Sequence, residues 1–159
     1  VRGDINMYRA KAERILNKIV LEIEDAIDYF CATGSYRRGA EKLGDLDIVI
    51  IPRKGKKLDE CLPLSFEGIN WLGEKKAQLI IDGEKVDIHC TNWDSLGAAQ
   101  LYFTGPKGYN IGMRIRAKKM GYKLNEYGLW KGSEMMLSGS ENIIYEHLEK
   151  SWKEPNKRG

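Results

Sequence analysis

A chain of 159 residues, 42% of them apolar, is long enough for one compact unit or two small subdomains around a core of ordinary size. No run approaches the roughly 18 apolar residues of a membrane-spanning helix, no signal-peptide pattern opens the chain, and three cysteines with two histidines form no CxxC pair. The formal charge of +3 is modest but clustered: Arg53 to Lys57, Lys75-Lys76, Arg114 to Lys119 and Lys150 to Arg158 are candidate phosphate contacts, although such runs are as often merely solvated faces.

From Met7 to Tyr29, apolar side chains at Ile15, Ile19, Ile23, Ala26 and Ile27 recur near the helical period without Gly or Pro, which predicts a long amphipathic helix. A short strand over Phe30 to Ala32 leads into a turn at Gly34-Ser35. A brief helix is expected over Arg37 to Lys42, then a buried strand from Leu46 to Ile51 that Pro52 ends. Leu58 to Leu64 reads as a short helix. Asp82-Gly83 lies between Ala77 to Ile81 and Lys85 to Cys90, a strong hairpin signal.

From Trp93 onward the character changes. A helix over Ser95 to Phe103, a break at Gly105-Pro106, a helix ending at Lys119, strands over Leu124 to Trp130 and Met135 to Leu137, and a last helix over Glu141 to Glu149 are expected. Strands and helices are thus mingled over residues 1–93, and a small helical and β subdomain follows over 94–159, an α+β class. Cys31, Cys61 and Cys90 read as reduced, buried thiols, which makes an intracellular setting the default. The start at Val1 rather than Met implies either processing or sequence upstream.

The segment Gly34-Ser35-Tyr36-Arg37-Arg38 to Gly44-Asp45-Leu46-Asp47 carries the chemistry. Strand side chains alternate faces, so Asp45 and Asp47 share one face at the mouth of an apolar strand, and hard divalent cations favour such oxygen ligands. The Gly-Ser turn offers backbone N–H groups and a hydroxyl to phosphate oxygens, with Arg37 and Arg38 adding charge. A lone Asp-x-Asp is ordinarily a solvated turn; the compound pattern points to nucleotidyl transfer. Asp87 alternates with Lys85 and His89, opposite Val86 and Ile88, so a third carboxylate reaches a polar strand face. If its strand lies beside the first, the three acids form one cluster.

This segment resembles the palm signature of family X DNA polymerases, within the wider nucleotidyltransferase superfamily. Lys85-Val86-Asp87-Ile88, Tyr102-Phe103-Thr104-Gly105, Asn110, Arg114, Leu124-Asn125-Glu126-Tyr127 and Trp152-Lys153-Glu154-Pro155 follow in the family's order, so the resemblance covers nearly the whole chain. It implies that the first part of the chain, residues 1–93, is a mixed sheet with flanking helices. It implies a template-directed DNA polymerase that fills gaps during repair, with two magnesium ions, or manganese, held by Asp45, Asp47 and Asp87. It also implies a nucleotide site of Gly34, Ser35, Arg38, Gly44, Tyr102, Phe103, Gly105 and Asn110. DNA contacts are expected at Lys85, Arg114, Lys118 and Lys119. The implied partners are a primer-template or gapped duplex and a dNTP, with no membrane, for a monomer in the cytoplasm or a nucleus.

Three positions depart from the family. His89 stands where an Arg often exchanges partners with a Glu like Glu126, and Lys107 and Ile111 differ at positions that hold the paired bases. Nothing precedes the palm-like helix, so no lyase activity is expected, and the chain resembles the compact viral-type members. The enzyme alternative is a minimal nucleotidyltransferase acting on an RNA end, a small molecule or a protein, which gives no reason for Arg114 or the aromatic pair. The non-enzyme alternative is a DNA-end-binding module, disfavoured because all three carboxylates persist.

Overall fold

In the structure, a computed structural model of the chain, residues 7–63, 65–66 and 68–159 are described. The chain divides into two compact units at Cys90 and Thr91. Among the described residues no helix is long and apolar enough to cross a membrane.

In the first unit, β1 (Met7–Tyr8) runs directly into α1 (Arg9–Ile23) and a 3-10 turn (Glu24–Ala26). β2 (Ile27–Ala32), α2 (Gly34–Arg37), β3 (Lys42–Leu43) and β4 (Leu46–Pro52) follow. α3 (Leu58–Cys61), β5 (Asn70–Trp71), β6 (Lys76–Ile81) and β7 (Glu84–Cys90) complete it. The main sheet has the order β2-β4-β7-β6-β5, and only β4 and β7 pair in parallel.

Period-two alternation decides which sheet face meets the helix. Leu46, Ile48 and Ile50 of β4, Val86 and Ile88 of β7, and Ala77, Leu79 and Ile81 of β6 share one core with Ala12, Ile15, Leu16, Ile19 and Ile23 of α1. Each Leu, Ile or Val among them contributes about 1.5–3 kcal/mol through burial, each Ala less. The opposite face, carrying Asp47, Asp87 and His89, is thereby left for chemistry.

The predicted helix to Tyr29 ends early, at Ile23, and the strand begins at Ile27 rather than Phe30. Long-range pairing wins over local periodicity here: Ile27 pairs with Pro52, and Arg53 N–H donates to the Ala26 carbonyl at 3.0 Å. The helix expected over Arg37 to Lys42 instead occupies Gly34–Arg37, because Lys42–Leu43 is drawn into an antiparallel ladder with Met7–Tyr8. The described part of the helix expected over Leu58 to Leu64 ends at Cys61; Leu64 lies outside the described residues. β5, too short and exposed to leave a sequence pattern, was not expected. The β6–β7 hairpin is as expected, with Asp82 (φ 53°) and Gly83 (φ 79°) in the left-handed backbone of a type I′ turn.

The second unit contains α4 (Leu96–Thr104), α5 (Lys107–Lys119), β8 (Lys123–Asn125), β9 (Gly128–Lys131), β10 (Glu134–Met136) and α6 (Glu141–His147). The single strand expected over Leu124 to Trp130 is a hairpin. Asn125 Oδ1 accepts from the N–H groups of Tyr127 and Gly128 at 2.9 and 3.1 Å, so an Asx turn divides it. Ser140 caps α6, its hydroxyl oxygen accepting from Ile143 N–H at 3.3 Å. Leu101, Met113, Ala117, Leu129, Ile144, Tyr145 and Leu148 form a separate core.

All three cysteines are free thiols, but only Cys61 is fully buried; Cys31 and Cys90 are half-buried. Burial, with the neighbouring Cys61 adding to it, pushes the Cys90 thiol up to about 12, so it stays protonated and unreactive at neutral pH.

Candidate active site

The parallel register of β4 and β7 sets Asp47 directly beside Asp87, and Val49 beside His89. Neighbouring strands lie about 4.8 Å apart, so two carboxylates meet on one sheet face. Each has a polar neighbour. Gln78, opposite Asp87 on β6, donates from Nε2 to Asp87 Oδ1 at 2.8 Å, while buried His89 brings Nε2 to 3.4 Å from Asp47 Oδ1.

The Gly-Ser segment is stitched to the backbone of the same residue, Asp47. Thr33 N–H donates to the Asp47 carbonyl at 2.8 Å and the Thr33 hydroxyl reaches it at 3.3 Å. Gly34, at φ 59°, packs so closely that a Cβ there would lie 2.8 Å from Asp47 Oδ2. A side chain here would be strained at that φ and would push the Asp47 carboxylate aside, which glycine avoids. Ser35 and Arg38 follow, both half-buried, whereas the space beside Gly44 is open, since a Cβ there would meet no atom within 4 Å.

Sequence reasoning missed the clamp on this segment. Arg9 donates from Nη1 to the carbonyls of Tyr36 and Ala40 at 2.9 and 3.2 Å, and its guanidinium lies 3.9 Å from the centre of the Tyr36 ring. Its position at the start of α1 carries no periodic signal that announces this.

Asp45 lies exposed in the bend ahead of β4. Asp47 and Asp87 are thus brought together, and Asp45 is not gathered with them: among the described residues no group of three or more His, Cys, Asp or Glu side chains is arranged to hold a metal ion. The donor chemistry nonetheless fits a hard divalent cation. Two adjacent carboxylates supply anionic oxygens, and a third stands two residues before Asp47.

In the second unit, Tyr102 is exposed and Phe103 half-buried, their rings edge to face with centroids 5.0 Å apart. The following Gly105-Pro106 bond is cis. Asn110 donates from Nδ2 to the Tyr102 carbonyl at 2.7 Å, while its buried Oδ1 has no partner among the described residues. Tyr102, Asn110, Met113, Arg114, Leu124 and Asn125 line one pocket. Arg114, Lys118 and Lys119 are exposed on α5, and Lys85 is half-buried on β7.

The basic run Arg114 to Lys119 is not uniform. Arg116 donates to the carbonyls of Leu148 and Glu149 at 2.6 and 2.7 Å, so it closes the end of α6 and is spent on structure. Arg158, from the basic tail, is likewise buried against Glu141.

Family models described as DNA polymerase beta palm and DNA polymerase beta thumb match residues 8–95 and 99–159. The Repair DNA polymerase X of an African swine fever virus isolate is 31% identical over 162 residues, covering 95% of this chain and 87% of the relative. The DNA polymerase/3′-5′ exonuclease PolX of Bacillus subtilis is 30% identical over 145 residues, 82% of this chain and 25% of that protein. DNA polymerase IV of Saccharomyces cerevisiae is 38% identical over 74 residues, 46% of this chain and 13% of that protein. Members of this group depend on divalent metal ions, in keeping with the paired carboxylates. With both a palm and a thumb matched, and a relative aligned over most of its own length, the chain belongs to the family X DNA polymerases and is a DNA-directed DNA polymerase of the repair type.

Proposed function

We propose that the chain fills short gaps by adding a deoxynucleotide to a primer 3′-hydroxyl with two magnesium ions, for which manganese can substitute. The register that sets Asp47 beside Asp87, with Gly34 packed on Asp47, supports this reading most strongly. Asp45 and Asp47 would hold both ions, and Asp87 the one nearest the primer hydroxyl. When bound, such ions supply charge neutralisation at the attacking and leaving oxygens and a lower pKa for the hydroxyl. Asp87 would accept the hydroxyl proton.

Ser35 and Arg38 hold the β- and γ-phosphates, and the open space at Gly44 admits them. Lys85 offsets the charge of the primer's terminal phosphate. Tyr102 and Phe103 support the sugar and disfavour a 2′-hydroxyl, with Gly105 ending their helix and Asn110 fixing the Tyr102 carbonyl. Arg114 reads the minor-groove edge of the nascent pair; Lys118 and Lys119 contact phosphates. The enzyme acts as an intracellular monomer, one chain supplying both palm and thumb.

Offering a gapped duplex, an open primer-template and a single strand with each dNTP tests the reading. Template-matched incorporation, fastest on the gap, is expected; equal extension of the single strand would overturn it.

Shrinking Tyr102 or Phe103 to Ala is expected to raise ribonucleotide use relative to deoxyribonucleotide by about tenfold, read from the ratio of kcat/KM values. Arg114→Lys keeps the charge but loses the planar fork. Efficiency on a matched template should fall about tenfold while DNA affinity stays within about twofold. Neutralising Lys118 and Lys119 should instead weaken binding to all sequences and lower the salt slope by about one for each lysine neutralised.

A further inference from the structure

We infer that Gln78 is a positioning residue for Asp87: its side-chain amide holds one carboxylate oxygen so that the other is presented for ligation. This rests on the reading that Asp87 ligates the ion nearest the primer hydroxyl.

The contact is short and directional, 2.8 Å from Gln78 Nε2 to Asp87 Oδ1, within the normal range for a hydrogen bond. Its geometry is built in. Gln78 and Asp87 are direct partners in the β6–β7 ladder, and the two-residue turn at Asp82-Gly83 pins that register. Ala77 and Leu79 on either side are buried in the core, so alternation sends Gln78 to the face that carries the acids.

The choice of amide matters. An Arg or Lys at this position would neutralise the carboxylate it orients and weaken its hold on a cation. A carboxamide donates a hydrogen bond without a charge, so Asp87 keeps its full anionic character with Oδ1 engaged and Oδ2 available. The hydrogen bond reaches Asp87 alone; the polar neighbour of Asp47 is His89, at the longer distance of 3.4 Å. Loss of the amide should therefore disturb one ion site and spare the triphosphate, which Ser35 and Arg38 hold.

The test uses the full chain with Gln78→Met, which keeps side-chain length without a donor, Gln78→Leu, and Asp87→Ala as the reference. Manganese binding is measured by electron paramagnetic resonance without nucleotide or DNA, alongside thermal midpoints and single-nucleotide insertion kinetics. Both Gln78 variants should lose about tenfold to a hundredfold in manganese affinity and in kcat, with dNTP KM within about twofold and wild-type midpoints. Wild-type manganese affinity and kcat in Gln78→Met, beside an inactive Asp87→Ala, would overturn the inference while leaving the role of Asp87 intact. So would a loss that follows the thermal midpoint, or one that raises KM and lowers kcat alike. Near-normal turnover by Asp87→Ala would instead remove the reading on which the inference rests.

Discussion

Asp45→Ala, Asp47→Ala and Asp87→Ala are each expected to abolish primer extension, by about a thousandfold or more in kcat, while leaving the protein folded. The charge stabilisation that metal ligands support in phosphoryl transfer amounts to several kcal/mol, which sets that scale. Stability should move the other way. Asp47 and Asp87 stand as direct partners on adjacent strands, and like charges in that arrangement repel. The fold tolerates this because the core lies on the other face, where Leu46, Ile48, Val86 and Ile88 are buried. Asp47→Asn should therefore match or exceed the wild-type thermal midpoint in metal-free buffer while remaining inactive. Turnover near the wild-type level in any of the three alanine variants would remove that residue from the catalytic set. A collapsed midpoint would show that the carboxylates serve the fold.

The second large effect is expected far from the chemistry. Arg158 and Glu141 are paired at 2.9 Å, with side chains 0% and 5% exposed. Arg158 Nε also donates to the Lys153 carbonyl at 2.8 Å, and Trp152 Nε1 donates to Glu141 Oε1 at 3.3 Å, so one ion pair ties the C-terminal segment to α6. Removing either partner takes a buried charge's counter-ion away. Arg158→Ala or Glu141→Ala should each cost about 3–5 kcal/mol, a large part of a typical domain's stability. Replacing both with Met should cost less than either single change, because no charge is then stranded. Urea unfolding followed by tryptophan fluorescence checks the ordering. A double variant as unstable as the sum of the singles would mean that packing, not charge pairing, holds this segment.

Much of this was legible in the residues. The α+β class, the β6–β7 hairpin and the break at Gly105-Pro106 follow from turn chemistry and hydrophobic period, both of which act over a few residues. Where long-range pairing competes with local pattern, the pairing prevails. Ile27 to Tyr29 continues a helical period yet is spent on β2, because β4 offers a partner. Lys42–Leu43 joins Met7–Tyr8 for the same reason.

For the site, alternation along two strands puts Asp47 and Asp87 each on a polar face, whereas Asp45, expected on the strand with Asp47, lies in the bend ahead of β4. What only the tertiary structure decided is how these groups are held. The parallel register of β4 and β7 puts Asp47 beside Asp87, and the neighbouring antiparallel register puts Gln78 on Asp87. Arg9 clamps carbonyls 27 and 31 residues further along the chain, and Arg116 leaves a basic run to close α6. A period of two states which face a side chain takes but not which residue stands beside it. That neighbour depends on strand order and register, which the packing of the whole sheet selects.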